Sequence, residues 1–349
     1  MTKTMKAALI DAYKQTIPTI REISIPEVRP KDVLVKIVAA SINPVDSKIK
    51  DGGLKMLLKF DMPLILGNDF AGIVTEIGEN VTNFSVGDAV YGRVEKERIG
   101  TFAEYIAVDS EAVSLKPKNI TFEEAAALPL VGLTSYQALK DIMHIQPGQK
   151  VFIQGGSGGI VTIAIQLAKY FGAYVATTTS AANFDLVRSL GADYPIDYRK
   201  TNFTEVLADY DYVFDTRGGK ALEDAFKIIK PGGKVVSISG LPNKRFGKDF
   251  GSPLWKQWAF QLVTRNLTKL EKQSGASYTF LFMKPSGTQL AILSQLVETG
   301  TIKPVVDRVF PFEKIEEALT YSQSGHAKGK VILQIMKNTQ LKNADVQPF

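Results

Sequence analysis

Lys150-Val-Phe-Ile-Gln154 runs directly into Gly155-Gly-Ser157-Gly-Gly159. Ile160 then opens a stretch lasting to Phe171, and Gly172-Ala-Tyr174-Val-Ala-Thr-Thr-Thr-Ser180 follows. The segment before the glycines is short and apolar enough for a buried strand. After them, Ile160, Ile163, Ala164, Leu167 and Ala168 fall on one helical face, with Gly172 placed to end the helix. Tyr174 to Ala176 reads as the next strand. Strand, glycine turn, helix, parallel strand is the dinucleotide-binding βαβ unit, whose helix N-terminus faces a pyrophosphate. Gly156 and Gly158 then serve the tight turn and the close backbone approach to phosphate, with Ser157, Gly159 and Ile160 completing the cofactor turn. Val161 stands where a third glycine normally lets helix and strand pack closely, so a slightly displaced helix is expected.

The surrounding chain supports this reading. From residue 151 strands and helices alternate, with candidate strands at 151–154, 174–177, 194–196, 212–214 and 234–238, the pattern of a doubly wound parallel sheet. The end of the second strand discriminates between dinucleotides, because an acid there would bond the ribose 2′-hydroxyl of NAD and repel a 2′-phosphate. Here Thr178, Thr179 and Ser180 stand instead, no acid appears before Asp185, and Tyr198-Arg199-Lys200 follows the third strand. Hydroxyls donate to phosphate and cations pair with it. NADPH is the expected cofactor.

Upstream, residues 1–127 are β-rich, with runs at 7–10, 33–39, 71–77 and 89–91 separated by turn signals such as Asn43-Pro44, Gly52-Gly53 and Gly87-Asp88. Thr121, with Glu124 three residues on, is a capping box feeding a helix; Pro129 interrupts it, and a helical pattern resumes at Gly132 until Pro147-Gly148. Residues 315–322 read as a helix and 330–335 as a strand. The polar tail from Lys337 is expected to be mobile. Residues 240–277 are least legible. They hold both tryptophans, Trp255 and Trp258, in an amphipathic basic run, read either as a helix covering the sheet or a subunit contact, or as a membrane-surface helix.

The 349 residues suit two domains, and 45% hydrophobic with 22% charged content is that of a globular enzyme. No apolar run is long enough to span a bilayer, and the N-terminus lacks an apolar signal core, so a cytoplasmic protein is expected. Zero cysteines excludes disulfides and thiolate metal sites, and with only His144 and His326 a zinc site would have to be built from carboxylates. A net charge of +6 suits anionic ligands, nucleotide phosphates included, and is equally met by scattered solvating lysines. Basic residues are not interleaved with aromatics, so no nucleic-acid partner is expected.

With its N-terminal half included, the chain resembles the zinc-independent quinone oxidoreductases of the medium-chain dehydrogenase/reductase superfamily, including their enone- and alkenal-reducing relatives. The matching stretches are Ala40-Ser-Ile-Asn-Pro-Val-Asp-Ser-Lys48, Leu66-Gly-Asn-Asp-Phe-Ala-Gly-Ile-Val74, Val86-Gly-Asp-Ala-Val-Tyr-Gly92, Gly100-Thr-Phe-Ala-Glu-Tyr105 and Ala126-Ala-Leu-Pro-Leu-Val-Gly-Leu-Thr-Ser-Tyr136. The glycine turn, Tyr278-Thr-Phe-Leu-Phe-Met-Lys-Pro-Ser-Gly287 and Gly329-Lys-Val-Ile-Leu333 complete the set. The resemblance implies a GroES-like β-barrel catalytic domain (1–127 with 301–349), a Rossmann domain (128–300) between its parts, an active cleft where they meet, and a homodimer. Zinc-dependent cousins carry Cys where Asn43 stands and Gly-His-Glu where Gly67-Asn68-Asp69 stands, so zinc alcohol dehydrogenase chemistry is excluded at the ligand level.

The resemblance also assigns roles. Asn43 would present its amide near the nicotinamide or the substrate oxygen; a turn asparagine before proline is the bland alternative. Lys48 lies where enone reductases place a lysine that polarises a carbonyl and supplies a proton, or it is a solvated loop lysine beside Lys50. Asp46 would orient Lys48 or cap the following turn. Thr134, Gly240, Leu241, Phe280 and Phe282 would line the nicotinamide pocket, Lys330 would contact the cofactor, and Asn183 stands where quinone reductases often carry a base for the 2′-phosphate. The loop from 50 to 62 would frame the substrate entrance. The expectation is an NADPH-dependent reductase of quinones or α,β-unsaturated carbonyls. An enoyl-thioester reductase and a non-catalytic, crystallin-like NADPH-binding protein are the alternatives.

Overall fold

In the computed structural model, which describes residues 3–336, the chain forms two units. The tail expectation from Lys337 lies outside the described residues. The first unit takes the chain up to Leu133 and again from Lys284; the second is Thr134–Met283.

The first unit is built on the strand Asp32–Ile42, whose sequence Asp-Val-Leu-Val-Lys-Ile-Val-Ala-Ala-Ser-Ile is buried along nearly its whole length. It pairs antiparallel with Lys330–Gln334, Asp69–Ile77 and Tyr105–Asp109, and register shifts near Leu34 and Ile37 let the strand bend between these partners. Beyond Asp69–Ile77 lie Ala89–Arg93 and Val113–Leu115, and Val306–Pro311 closes the other edge of this seven-stranded sheet. A three-stranded sheet, Thr19–Ser24, Thr4–Ile10 and Leu64–Ile65, completes the β-barrel part. Ile10, Val33, Val35, Ile37, Leu66, Phe70, Val90, Phe102, Val331 and Leu333 fill its core.

The second unit carries a six-stranded sheet in which every neighbouring pair is parallel. Its order is Tyr194–Asp197, Tyr174–Thr179, Lys150–Ile153, Tyr210–Asp215, Ile229–Ser237, Ser277–Phe280. Chain direction across the sheet reverses between Lys150–Ile153 and Tyr210–Asp215, the switch point at which open α/β sheets bind ligands. Five of these strands sit at the sequence-derived positions. The sixth, Ser277–Phe280, is too short to show a periodicity of its own.

Three differences have physical causes. Pro129 starts the helix Pro129–Tyr136, where a proline costs no hydrogen bond, and wider π-type turns carry on only to Ile142. The helix Gly287–Glu298, assigned from sequence to the nucleotide domain, packs in the first unit: Tyr91 Oη donates to Leu290 O at 2.7 Å, and Ser294 Oγ bonds Leu115 O and Tyr91 Oη. Residues 240–277 resolve into three helices, Lys244–Asp249, Leu254–Val263 and Arg265–Ser274, ahead of the sixth strand. The Thr121 capping box forms as read, with Thr121 N donating to Glu124 Oε2 and Glu124 N to Thr121 Oγ1.

Candidate active site

In the first unit, a buried polar cluster grows from the turn Ile42-Asn43-Pro44. Asn43 sits at the N-cap of the helix Pro44–Lys50, and Asp46 at its third position accepts from Asn43 N at 2.7 Å. The other Asp46 oxygen lies 2.6 Å from Asn68 Nδ2. Asn43 Nδ2 donates to Asp69 Oδ2 at 2.9 Å, while its Oδ1 accepts from the ammonium of Lys330, which also donates to Ile42 O at 3.2 Å and lies 3.6 Å from Asp69 Oδ2. Ser41 Oγ and Leu130 N complete the shell of Asp69. All of these side chains, and Arg93 beside them, are buried.

Both ends of the Asn43 amide have partners within the first unit, Asp69 at Nδ2 and the Lys330 ammonium at Oδ1. Lys330 is buried and turned onto Asn43 and Ile42. Asp46 caps the helix and touches Asn68; no bond joins it to Lys48. Lys48 is exposed, with no partner for its ammonium among the described residues, whereas Lys50 is buried and bonds Gln15 O and Asp51.

Two cations and two acids share this interior. Burial pushes the Asp46 carboxyl up to about 7, against the opposing bonds from Asn43 and Asn68, with the Asp69 charge adding to the rise. Burial also pushes the Lys330 ammonium down, against the attraction of Asp69 and Asp46. Desolvation outweighs pairing at both groups. With the Asn68 amide turned so that its unpartnered oxygen replaces Nδ2, a protonated Asp46 would donate to it, and 2.6 Å is an ordinary O–H···O length.

In the second unit, the glycine turn joins the strand Lys150–Ile153 to the helix Gly159–Tyr170. Gly155 has φ +86°, a conformation only glycine adopts readily, and Gly156 N donates to Thr178 O at 2.7 Å. A Cβ on Gly156 would come within 2.9 Å of Thr177 Oγ1 and 3.1 Å of Thr178 O. On Gly158, the helix N-cap, it would meet only Gly155 O, at 3.6 Å. Space therefore remains over Gly158 and the first-turn N–H groups, which have no intrahelical acceptors. Val161 is buried on this helix, which accommodates it.

The same carboxyl edge carries the remaining nucleotide-site residues. Thr179 is buried, Tyr198 N donates to Thr179 O at 3.3 Å, and Ser180 and Asn183 begin the next turn, with Asn183 Oδ1 buried and unpartnered. Asp197, the nearby acid, accepts from Arg199 N. Across the switch point, Thr216 Oγ1 donates to Gln154 O and Ser239 Oγ to Thr216 O, linking the turn to Gly240. Gly240 N donates to Ser237 Oγ, and Tyr278 Oη to Leu241 O. Phe280 and Phe282 pack against Phe246, and Phe282 also against Phe250. Thr134 is buried in the helix Pro129–Tyr136. Sequence reading noted Asn68 and Asp69 only as standing at the zinc-ligand positions of related enzymes and gave them no role, and it did not single out Arg93; the available signal was an acid heading the apolar run from Phe70 to Val74.

Two domain families match this chain: an alcohol dehydrogenase GroES-like domain over residues 29–118, and a zinc-binding dehydrogenase domain over 190–333. A 2-methylene-furan-3-one reductase of Solanum lycopersicum is 36% identical, covering 89% of this chain and 74% of that protein. The chain belongs to the quinone and alkenal oxidoreductases of the medium-chain dehydrogenase/reductase superfamily. The NADPH-dependent alkenal/one oxidoreductase of Arabidopsis thaliana, chloroplastic, matches with the same identity and the same coverage of each chain. Among solved structures, the quinone oxidoreductase of Coxiella burnetii superposes with a TM-score of 0.82 at 29% identity, covering 96% of this chain and 100% of that one. Within this family the second unit is the Rossmann-like part and the first the GroES-like part. Among the described residues no helix is long and apolar enough to cross a membrane, and no group of three or more His, Cys, Asp or Glu side chains could hold a metal ion.

Proposed function

We propose that this chain is an NADPH-dependent oxidoreductase that reduces quinones or α,β-unsaturated carbonyl compounds. The observation that carries the reading is the carboxyl edge of the second unit. Open space lies over Gly158 at a helix N-terminus, and Thr178, Thr179 and Ser180 stand at the end of the second strand, where an NAD-binding protein would place an acid, with Arg199 and Lys200 following the neighbouring strand. The names of the two plant relatives, one a reductase of a methylene-furanone and one of alkenals, agree with it.

When bound, the reduced dinucleotide supplies hydride. The first-turn N–H groups of Gly159, Ile160 and Val161 would bind its pyrophosphate, with Gly156, Ser157 and Gly158 shaping the turn beneath it; Thr179, Ser180, Asn183 and Tyr198 would hold its adenosine end, and Thr134, Gly240, Leu241, Phe280 and Phe282 its nicotinamide end. Lys48 is the exposed group of the helix Pro44–Lys50 whose ammonium would polarise an acceptor oxygen and hold a proton at Nζ. Asn43, Asp46 and Lys330 hold the short helix that carries Lys48. Zinc takes no part. Of the positions at which zinc-dependent relatives gather ligands, 43 and 69 meet the Lys330 ammonium and 68 meets Asp46, and none carries Cys or His. A homodimer in the cytoplasm accompanies this proposal, tested by sedimentation and by cell fractionation.

NADPH oxidation measured with a quinone, an alkenal and an enoyl-CoA as acceptors tests the reading. Turnover with the first two is expected. Tight NADPH binding without turnover of any acceptor would leave a binding protein in its place. NADH binding as tight as NADPH binding in a fluorescence titration would remove the cofactor preference.

A further inference from the structure

The helix Leu254–Val263 carries its apolar stripe on the outside. At roughly 3.6 residues per turn, Leu254, Trp255, Trp258 and Leu262 fall within an arc of about 100°. These four side chains are 61–73% exposed. Phe260, on the opposite side, is the buried residue of this helix and packs near Phe246. A helix covering a sheet turns its stripe inward; this one does the reverse.

Cations border the stripe. Lys244 Nζ lies 3.9 Å from the centroid of the Trp258 ring, and Lys256 Nζ 5.6 Å from that of Trp255. On the following helix, Arg265, Lys269 and Lys272 line one open groove with Thr268 and with Gln261 of the first helix, so the groove adjoins the stripe and holds no acid in its lining. The acid of that helix, Glu271, is turned to Arg245 and to Tyr278 N.

We propose that this two-helix face docks the protein onto an anionic phospholipid bilayer. Leu254, Trp255, Trp258 and Leu262 sit at the boundary of headgroups and acyl chains, and Arg265, Lys269 and Lys272 meet lipid phosphates. Exposed leucines, tryptophans able to straddle the interface and an uncompensated cationic rim are what such a surface selects. A second copy of the chain fits less well, because the groove presents no acid to meet a second copy's cations. The helices lie on the surface, as none is long and apolar enough to cross it.

The two tryptophans of the chain are both on this face, so their emission reports on it directly. The full chain is mixed with vesicles of phosphatidylcholine, with and without about 30% phosphatidylglycerol. A blue shift and co-flotation with the anionic vesicles are expected, both weakened by salt and both slight with the neutral vesicles. Lys269→Ala with Lys272→Ala keeps both reporters and should weaken partitioning by about 30-fold, each cation being worth about fivefold, with NADPH affinity unchanged. Leu262→Gln should weaken it as well. No shift or flotation with anionic vesicles overturns the proposal, as does full binding by the double lysine variant. So does tryptophan emission already blue-shifted without lipid in a dimer that Leu262→Gln dissociates, which would identify a second copy as the occupant.

Discussion

Lys330 and Asp69 anchor opposite ends of the Asn43 amide, so removing either charge strands the other in a buried site. Lys330→Met is expected to cost about 3–5 kcal/mol of unfolding free energy in a urea titration, the range for one partner lost from a buried ion pair. Asp46 gives a different readout. Its folded carboxyl is pushed up to about 7 from 3.8, so between those values the folded state binds the extra proton. Its contribution to stability is therefore full below about pH 4 and is lost as pH rises through about 7. Asp46→Asn should flatten that part of the stability–pH curve, measured by thermal melts in stepped buffers; an unchanged slope would assign it to another group. Lys48 is exposed, so Lys48→Ala should leave stability within about 0.5 kcal/mol while slowing enone reduction. Full enone turnover by a folded Lys48→Ala protein would make Lys48 a surface residue only. Sequence singled out Asn43, Asp46 and Lys330, but not the bonds that join them to one another and to Asp69. A side chain's direction depends on partners brought in from residues 69 and 330, and no local pattern encodes them.

Elements were legible where their periodicity was long. The strand–turn–helix at Lys150–Tyr170 is one case, because an apolar run, a glycine group and a helical stripe each signal independently. The glycines within it are not equivalent. Gly156→Ala would press its Cβ against Thr177 and Thr178 and should lower the melting temperature. Gly158→Ala has room at 3.6 Å and an extended backbone, so it should fold normally and bind NADPH at least about tenfold more weakly, as followed by fluorescence titration. Equal cofactor affinity in a folded Gly158→Ala protein would remove the phosphate from this turn. The helices within 240–277 were less legible, because Leu254–Val263 turns its apolar stripe outward and so breaks the usual relation between hydrophobicity and burial. Ser277–Phe280 escaped notice for the opposite reason: four residues give no period, and only the edge of a sheet already built makes them a strand.

At the scale of the molecule, the first unit is discontinuous, and its seven-stranded sheet needs Val306–Pro311 and Lys330–Gln334 from the far end of the chain. A chain ending at residue 283 should therefore lose the folded barrel, seen as aggregation or loss of cooperative melting, since the long Asp32–Ile42 strand would expose an unpaired apolar edge. The amino-acid sequence by itself determined the doubly wound sheet, its glycine turn, the missing acid after the second strand and the family. All of these are carried by local periodicity and by residue types at fixed spacing. Only the tertiary structure decided that the helix Gly287–Glu298 packs in the barrel unit, that Asn43 and Lys330 face inward and Lys48 outward, and that the tryptophan helix shows its apolar side to solvent. Each of these depends on contacts between residues far apart in the chain, where burial and charge pairing outweigh anything a short stretch can specify.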